Sequence, residues 1–372
     1  MRTLPKKPFK TFPLFAHANG QWAKKIRGKL HYFGPSSEPQ AALDRFKVEF
    51  PALAAGGKRP ARHETVAAIV SAYLSSKQAS LESGDLTPAT LADYKRICKV
   101  IELALGKETP IAGVDRPDLE QLRTYLVKGK RGPLAPVSQK RRIGMARLVF
   151  NFANEELDCN IKYRKVLRMP SAKSLRAARN RTGERLFTPG EINTLIDNAK
   201  PQMKAMILLG INCGFGNGDC ATLPIERVDL SGWHNHARPK TEIARRCPLW
   251  PETAAALYAV IKDRTTGPVF ITKYGNSWEG TGNSCPISYE FRKLATGLEI
   301  WRTGVTTFYT LRRTFETIGA TAGDQIAVSF IMGHTPASDD MSAVYRQRTF
   351  DSQLVRVVDR VHDWLQGRIN LA

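Results

Sequence analysis

Residues 310–346 read TLRRTFETIGATAGDQIAVSFIMGHTPASDDMSAVYR, and the reading of this stretch decides the fold. Three short segments stand out in it: Thr310-Leu311-Arg312-Arg313-Thr314-Phe315, Ile331-Met332-Gly333-His334 and Met341-Ser342-Ala343-Val344-Tyr345-Arg346. A short helical region separates each from the next. A guanidinium (Arg312), an imidazole (His334) and a phenol (Tyr345) therefore follow one another near the chain end. The sequence has no Walker loop, no Ser-His-Asp order and no His-Glu-x-x-His, which argues against the chemistries those motifs carry.

Outward from this stretch, residues 351–366 place Leu354, Val357, Val358, Val361, Trp364 and Leu365 on one helical face. That face either docks on a neighbouring protomer or packs on its own domain. On the N-terminal side a sharp boundary falls near 185. Thr188 is an N-cap, Pro189 fills the first helical position, Glu191 completes a capping box, and Phe187 and Ile192 form a hydrophobic staple. Helices over 189–198, 201–212 and 252–263 flank a hairpin-like region at 225–250. Further upstream, apolar positions at helical spacing (Val66, Ile69, Val70, Tyr73, Leu74; then Leu91, Tyr94, Ile97, Ile101, Leu105) predict a helical block. Its last helix, 137–157, opens on Lys140-Arg141-Arg142. A basic first turn opposes the helix dipole, so a phosphate partner suits it. Residues 12–34 read as short strands with a basic face carrying Lys24, Lys25, Arg27 and Lys29, and 39–50 as a helix. The domain layout expected is a small basic domain at 1–60, a linker around 51–62, a helical block at 63–160, a basic linker at 161–184 and a final domain at 185–372.

The 372 residues hold 56 Lys and Arg against 34 Asp and Glu, a formal charge of +22. Two stretches concentrate the excess, residues 1–60 and 160–186. A polyanion is the expected partner, nucleic acid first and an anionic membrane surface second, the latter without a basic amphipathic helix to support it. Cys98, Cys159, Cys213, Cys220, Cys247 and Cys285 form no C-x-x-C pair, so free thiols in a reducing cytoplasm are expected. The N-terminus has positive charge without a following apolar stretch, so no signal peptide is expected. His234 and His236 form an H-x-H that reads as turn residues beside a strand rather than as a metal pair, and no cofactor or metal is expected.

The three segments at 310–346 resemble the second-arginine, second-histidine and nucleophile motifs of the tyrosine recombinases, the phage integrase family. Arg238-Pro239-Lys240-Thr241 followed by Arg246-Cys247-Pro248-Leu249 resembles the family's β-hairpin. The resemblance covers roughly residues 63–365, and the N-terminal sheet looks like an arm-type DNA-binding domain. It implies a mainly α fold with small antiparallel sheets: a helical core-binding domain and an α-rich catalytic domain, closing as a C-shaped clamp on double-stranded DNA. It further implies a recombinase of a mobile element, acting in the cytoplasm at the nucleoid, as a tetramer on paired sites held through the 351–366 helix. Tyr345 is then the nucleophile, Arg312 and His334 the phosphate donors, and Lys240 the acid for the leaving 5′-oxygen. Tyr309 occupies a position where the family has histidine.

The chemistry is coherent with those roles. A tyrosine ester to a 3′-phosphate stores the energy of the broken phosphodiester without ATP. A phenol with a free pKa of about 10 needs neighbours to take its proton and stabilise the phosphate. Arginine's planar fork donates to two oxygens at once. Two positions depart from the pattern. The family's first arginine, in G-x-R-x-x-E, falls in Gly214-Phe215-Gly216-Asn217-Gly218-Asp219, where the acid is kept and the arginine reads Gly216. Tyr309 is the second departure. Arg227, Arg245 and Arg246 are the arginines weighed as spatial substitutes. A DNA-binding protein derived from a recombinase but without catalysis is the alternative reading.

Overall fold

A computed structural model describes residues 5–56, 64–129, 132–229, 232–280, 284–336 and 339–371. It is mainly helical with small antiparallel sheets, as the motifs imply. The chain divides into two compact units, Met1–Ala172 and Lys173–Ala372.

The first unit opens on an antiparallel sheet of β1 (Phe15–Ala16), β2 (Gln21–Ile26) and β3 (Lys29–Pro35), covered by α1 (Pro39–Ala54). Arg27 and Gly28 both take positive φ between β2 and β3, the geometry a two-residue hairpin of right-handed twist needs. The register shifts between Trp22 and Ala23, so both side chains are buried and the alternation read from sequence breaks there. Lys25, Arg27 and Lys29 remain exposed, while Lys24 is half-buried with its ammonium 5.5 Å from the centre of the Phe46 ring. Pro51 lies inside α1, which runs on to Ala54. The expected linker at 51–62 thus begins as helix, and 57–62 lie outside the described residues.

The helical block comprises α2 (Val66–Glu82), α3 (Pro88–Leu105), α4 (Arg116–Val127), a short hairpin of β4 (Lys128–Gly129) and β5 (Gly132–Pro133), and α5 (Pro136–Glu156). Thr65 and Thr87 cap their helices, and Asp115 and Asp118 form a capping box. The core joins Ile69, Tyr73, Ile101, Leu122, Leu126 and Phe150. The basic stretch that charge alone marks as a linker does not begin as one: Ile161, Tyr163 and Leu167 are buried in this same core. Net charge cannot reveal such a segment, because long basic side chains reach solvent while apolar neighbours turn inward. The basic helix α6 (Ala172–Thr182) follows and buries no residue.

The second unit contains α7 (Pro189–Asn198), α8 (Pro201–Asn212), α9 (Asn217–Ala221), an antiparallel sheet of β6 (Val228–Asp229), β7 (Trp233–Asn235) and β8 (Arg246–Pro248), then α10 (Pro251–Ile261), α11 (Pro286–Gly297), α12 (Phe308–Ala320), α13 (Gln325–Met332), α14 (Met341–Tyr345) and α15 (Asp351–Leu365). The Thr188–Glu191 capping box forms in both directions. Its core joins α8, α12 and α15. A Cβ at Gly210 would sit 2.9 Å from Leu311 Cδ1, so glycine there lets α8 and α12 approach closely. The apolar face of α15 (Leu354, Val357, Val358, Val361, Trp364, Leu365) is consumed in this core, which leaves it packed on its own domain rather than offered to a neighbour.

Candidate functional site

Two backbone corners organise the site. At the first, α8 ends and Gly214 turns the chain with φ of 62°. A Cβ at 214 would meet Phe315 and Met332 at 3.0 and 3.2 Å, so both conformation and space demand glycine. At the second, α13 ends at Met332 and Gly333 takes φ of 60°. A Cβ there would lie 2.9 Å from Arg238 Cβ and 3.3 Å from Arg245 Cδ. Arg312, on α12, joins the corners: its guanidinium donates to the carbonyl of Gly214 and, at 2.7 Å, to that of Met332. Arg312 is only 1% exposed, and its Nε–H has no partner among the described residues.

Around this bracket two more guanidiniums gather. Arg238 donates from Nη1 to Gly333 O at 3.4 Å, and Thr241 Oγ1 donates to the same carbonyl at 3.2 Å. Arg245 is fully buried. It donates to Asp219 Oδ1 at 2.8 Å and to His236 O at 2.9 Å, and its guanidinium carbon stands 4.3 Å from the centre of the Phe215 ring. Its Nη1 has no partner among the described residues. Asp219 also accepts from the backbone N–H of Gly216 at 2.6 Å, so one carboxylate neutralises Arg245 and fixes the loop after α8. Burial lowers the pKa of Arg312, and Arg238 lowers it further. Burial, then Arg312 and Arg238, hold His334 below the ordinary histidine range, with Glu316 opposing. The corner between α8 and α13 therefore gathers three guanidiniums beside an imidazole held below its ordinary range, an environment suited to an anion.

The sequence candidates separate into two groups. Arg312, His334 and Tyr309 come together. The Arg312 guanidinium carbon lies 6.0 Å from the centre of the Tyr309 ring and that of Arg313 lies 5.6 Å from it. Lys240 and Tyr345 do not join them. Lys240 is exposed in the turn 238–243, and Tyr345, at the end of α14, is 76% exposed; among the described residues neither bonds to the cluster. Of the arginines weighed as substitutes, Arg245 lies in the cluster. Arg246 instead pairs with Asp351 and stacks on Trp233, and Arg227 is exposed. Arg238 is the member that sequence reading passed over. Its only signal was its place beside Lys240 in the hairpin motif.

The two departures from the family pattern lie side by side. A Cβ at Gly216 would lie 3.4 and 3.5 Å from two carbons of the Tyr309 ring. The phenol thus covers the ground over which a side chain at 216 would extend. On α5, Lys140 is exposed, Arg141 pairs with Asp93, and Arg142 donates to Lys128 O at 3.2 Å.

No family model matches the sequence and no curated protein matches it. Solved structures do. A lambda integrase dimer bound to a COC′ core site matches with a TM-score of 0.57 at 17% identity, over 94% of this chain and 98% of that one. A lambda integrase tetramer bound to a Holliday junction matches with a TM-score of 0.56 at 17% identity, over 92% and 98%. The Tn1549 transposon integrase in complex with a circular intermediate DNA matches with a TM-score of 0.54 at 18% identity, over 80% and 99%.

Proposed function

We propose that this chain, which has the fold of the tyrosine recombinases, is a site-specific recombinase that cuts and rejoins double-stranded DNA through a 3′-phosphotyrosyl link at Tyr345. The observation that carries the reading is the convergence of Arg238, Arg245 and Arg312 on the Gly214 and Gly333 corners beside His334. Two of these guanidiniums, Arg312 and Arg245, keep an N–H without a partner among the described residues, and donors aimed at a pentacoordinate phosphate stabilise its charge where it develops. In the proposed step the Tyr345 oxygen attacks phosphorus and gives its proton to solvent. The bond to the 5′-oxygen breaks, and that oxygen takes a proton from Lys240. Arg312 contributes the Nε–H it leaves unpaired, Arg238 a second cation, and His334, neutral, an N–H. Attack by a 5′-hydroxyl on the phosphotyrosine reverses the step, so no net bond energy is lost. Duplex DNA is the partner, bound through phosphates by the basic residues Lys24, Lys25, Arg27, Lys29 and Lys140, with several copies on paired sites.

The placing of the Tyr309 ring over position 216 favours a second reading, in which the fold binds DNA without cutting it, because the arginine position is vacated and a side chain there would meet the ring. Covalent trapping separates the two. The protein is incubated with nicked duplexes from the ends of its own genetic element and run on a denaturing gel, with Tyr345→Phe beside it. An adduct that disappears in the Phe variant supports strand transfer. No adduct, with the same duplexes demonstrably bound, supports the silent DNA-binding protein.

A further inference from the structure

The core beneath the arginine cluster holds a group of side chains that strand transfer does not use. Cys213 caps the end of α8, His234 sits at the centre of β7, and Cys247 is its cross-strand partner in β8. All three are fully buried, and one ligand atom from each lies within 4.8 Å of the others. Neither ring nitrogen of His234 has a hydrogen-bond partner among the described residues. An imidazole in a dry core with both nitrogens unpaired is costly, since each buried unmatched polar atom carries about 1–3 kcal/mol. Its ring instead faces Phe215 on one side, with centroids 4.9 Å apart.

We propose that Cys213, His234 and Cys247 bind a soft divalent ion, Zn2+, as a structural clamp under the catalytic corner. Two thiolates and an imidazole are the donors such an ion prefers, and a tetrahedral zinc with bonds of roughly 2.0–2.3 Å holds its donors inside the 4.8 Å span within which these three atoms lie. Binding releases two thiol protons, so Zn2+ and two thiolates enter the core as a neutral unit and no net charge is buried beside Arg245. The ion would tie the end of α8 to β7 and β8. Those are the elements that carry Gly214, whose carbonyl anchors Arg312, and Arg245, which fixes Asp219. It gives the unpaired imidazole a partner and braces the arginine cluster from below.

The test uses tag-free full-length protein, because a histidine tag would itself bind metal. Zinc content is measured after gel filtration in a weak chelator, and Co2+ is then titrated in. The expected result is about one zinc per chain, and with Co2+ the strong charge-transfer absorption of a thiolate-ligated tetrahedral ion. His234→Ala and Cys247→Ser lose the metal, while Cys98→Ser/Cys159→Ser, in the other unit, keeps it. Zinc absent from the wild type and no thiolate absorption with Co2+ overturn the proposal. So does metal retained in both ligand variants, and so does an intact mass showing Cys213 joined to Cys247 as a disulfide. If the ligand variants do not fold, the wild-type cobalt spectrum decides alone.

Discussion

Restoring arginine at Gly216 tests whether the two departures from the family pattern are one adaptation. The backbone at 216 has φ of −99° and accepts any residue, so the obstacle to a side chain is space alone. A Cβ would lie 3.3 Å from Asp219 Oδ2 and 3.4 Å from the Tyr309 ring, tight but tolerable; the atoms beyond it run into the phenol. Overpacking of this kind costs about 1–3 kcal/mol. Tyr309 is 41% exposed and can swing outward, which puts Gly216→Arg at the lower end of that range. The new guanidinium also joins Arg312, Arg238 and Arg245 without bringing an acid. The expected loss in urea denaturation is therefore about 1–2 kcal/mol. Tyr309→His frees the volume, and the double variant recovers at least half of the loss, a coupling of about 1 kcal/mol. Adduct formation separates the variants further. One phosphate-clamping donor is worth on the order of 100- to 1000-fold in rate. The double variant should gain at least about tenfold over wild type, and Gly216→Arg alone should gain little because the ring diverts its side chain. Four-corner additivity within about 0.5 kcal/mol, with Gly216→Arg as fast as the double, would refute the shared-volume argument.

Three further outcomes follow from the same geometry. Asp219→Ala strands the buried Arg245 charge and removes the acceptor of Gly216 N–H, so it should cost about 4–6 kcal/mol, whereas Asp351→Ala, which breaks the exposed pair with Arg246, should cost under about 1 kcal/mol; equal losses in chemical denaturation would contradict the burial argument. His334 titrates below the ordinary range in the folded state, so the unfolded chain takes the proton first; the native state should lose stability as pH falls through about 6.5, and His334→Gln should reduce that slope without abolishing it, since burial depresses His234 and His236 as well. Affinity for duplex DNA should fall linearly in log–log with salt, and Lys25→Ala/Lys29→Ala should reduce the slope by roughly 2 while leaving the fold's melting temperature in place, both side chains being exposed.

How far sequence reaches in this chain depends on whether a feature is local. Helix starts are local, and the Thr188–Glu191 capping box forms as the spacing dictates. The amphipathic faces of α3 and α15 are likewise periodic and bury the residues that periodicity selects. What escapes is decided by partners distant in the chain. The bulge at Trp22–Ala23 depends on pairing with β3. Ile161, Tyr163 and Leu167 look like passengers in a basic linker until α2–α5 supply a core for them. The H-x-H at His234 and His236 reads as a loose pair, yet His234 turns inward toward Cys213 and Cys247, and its neighbour two residues on does not join it, because alternate residues in β7 are not held to one face beyond the strand's end at Asn235.

The same distinction reorders the site itself. Taken along the chain, Gly216 and Tyr309 are two separate losses, an arginine and a histidine, and each weakens the case for catalysis. In space they are neighbours, and the larger residue fills what the smaller one leaves. Arg312 is 1% exposed between two carbonyls and Arg245 is buried on Asp219, with glycines at 214 and 333 where a Cβ would clash. The proposed strand transfer gives that arrangement a use, a phosphate being the anion and Arg238 supplying from the hairpin the cation that position 216 does not.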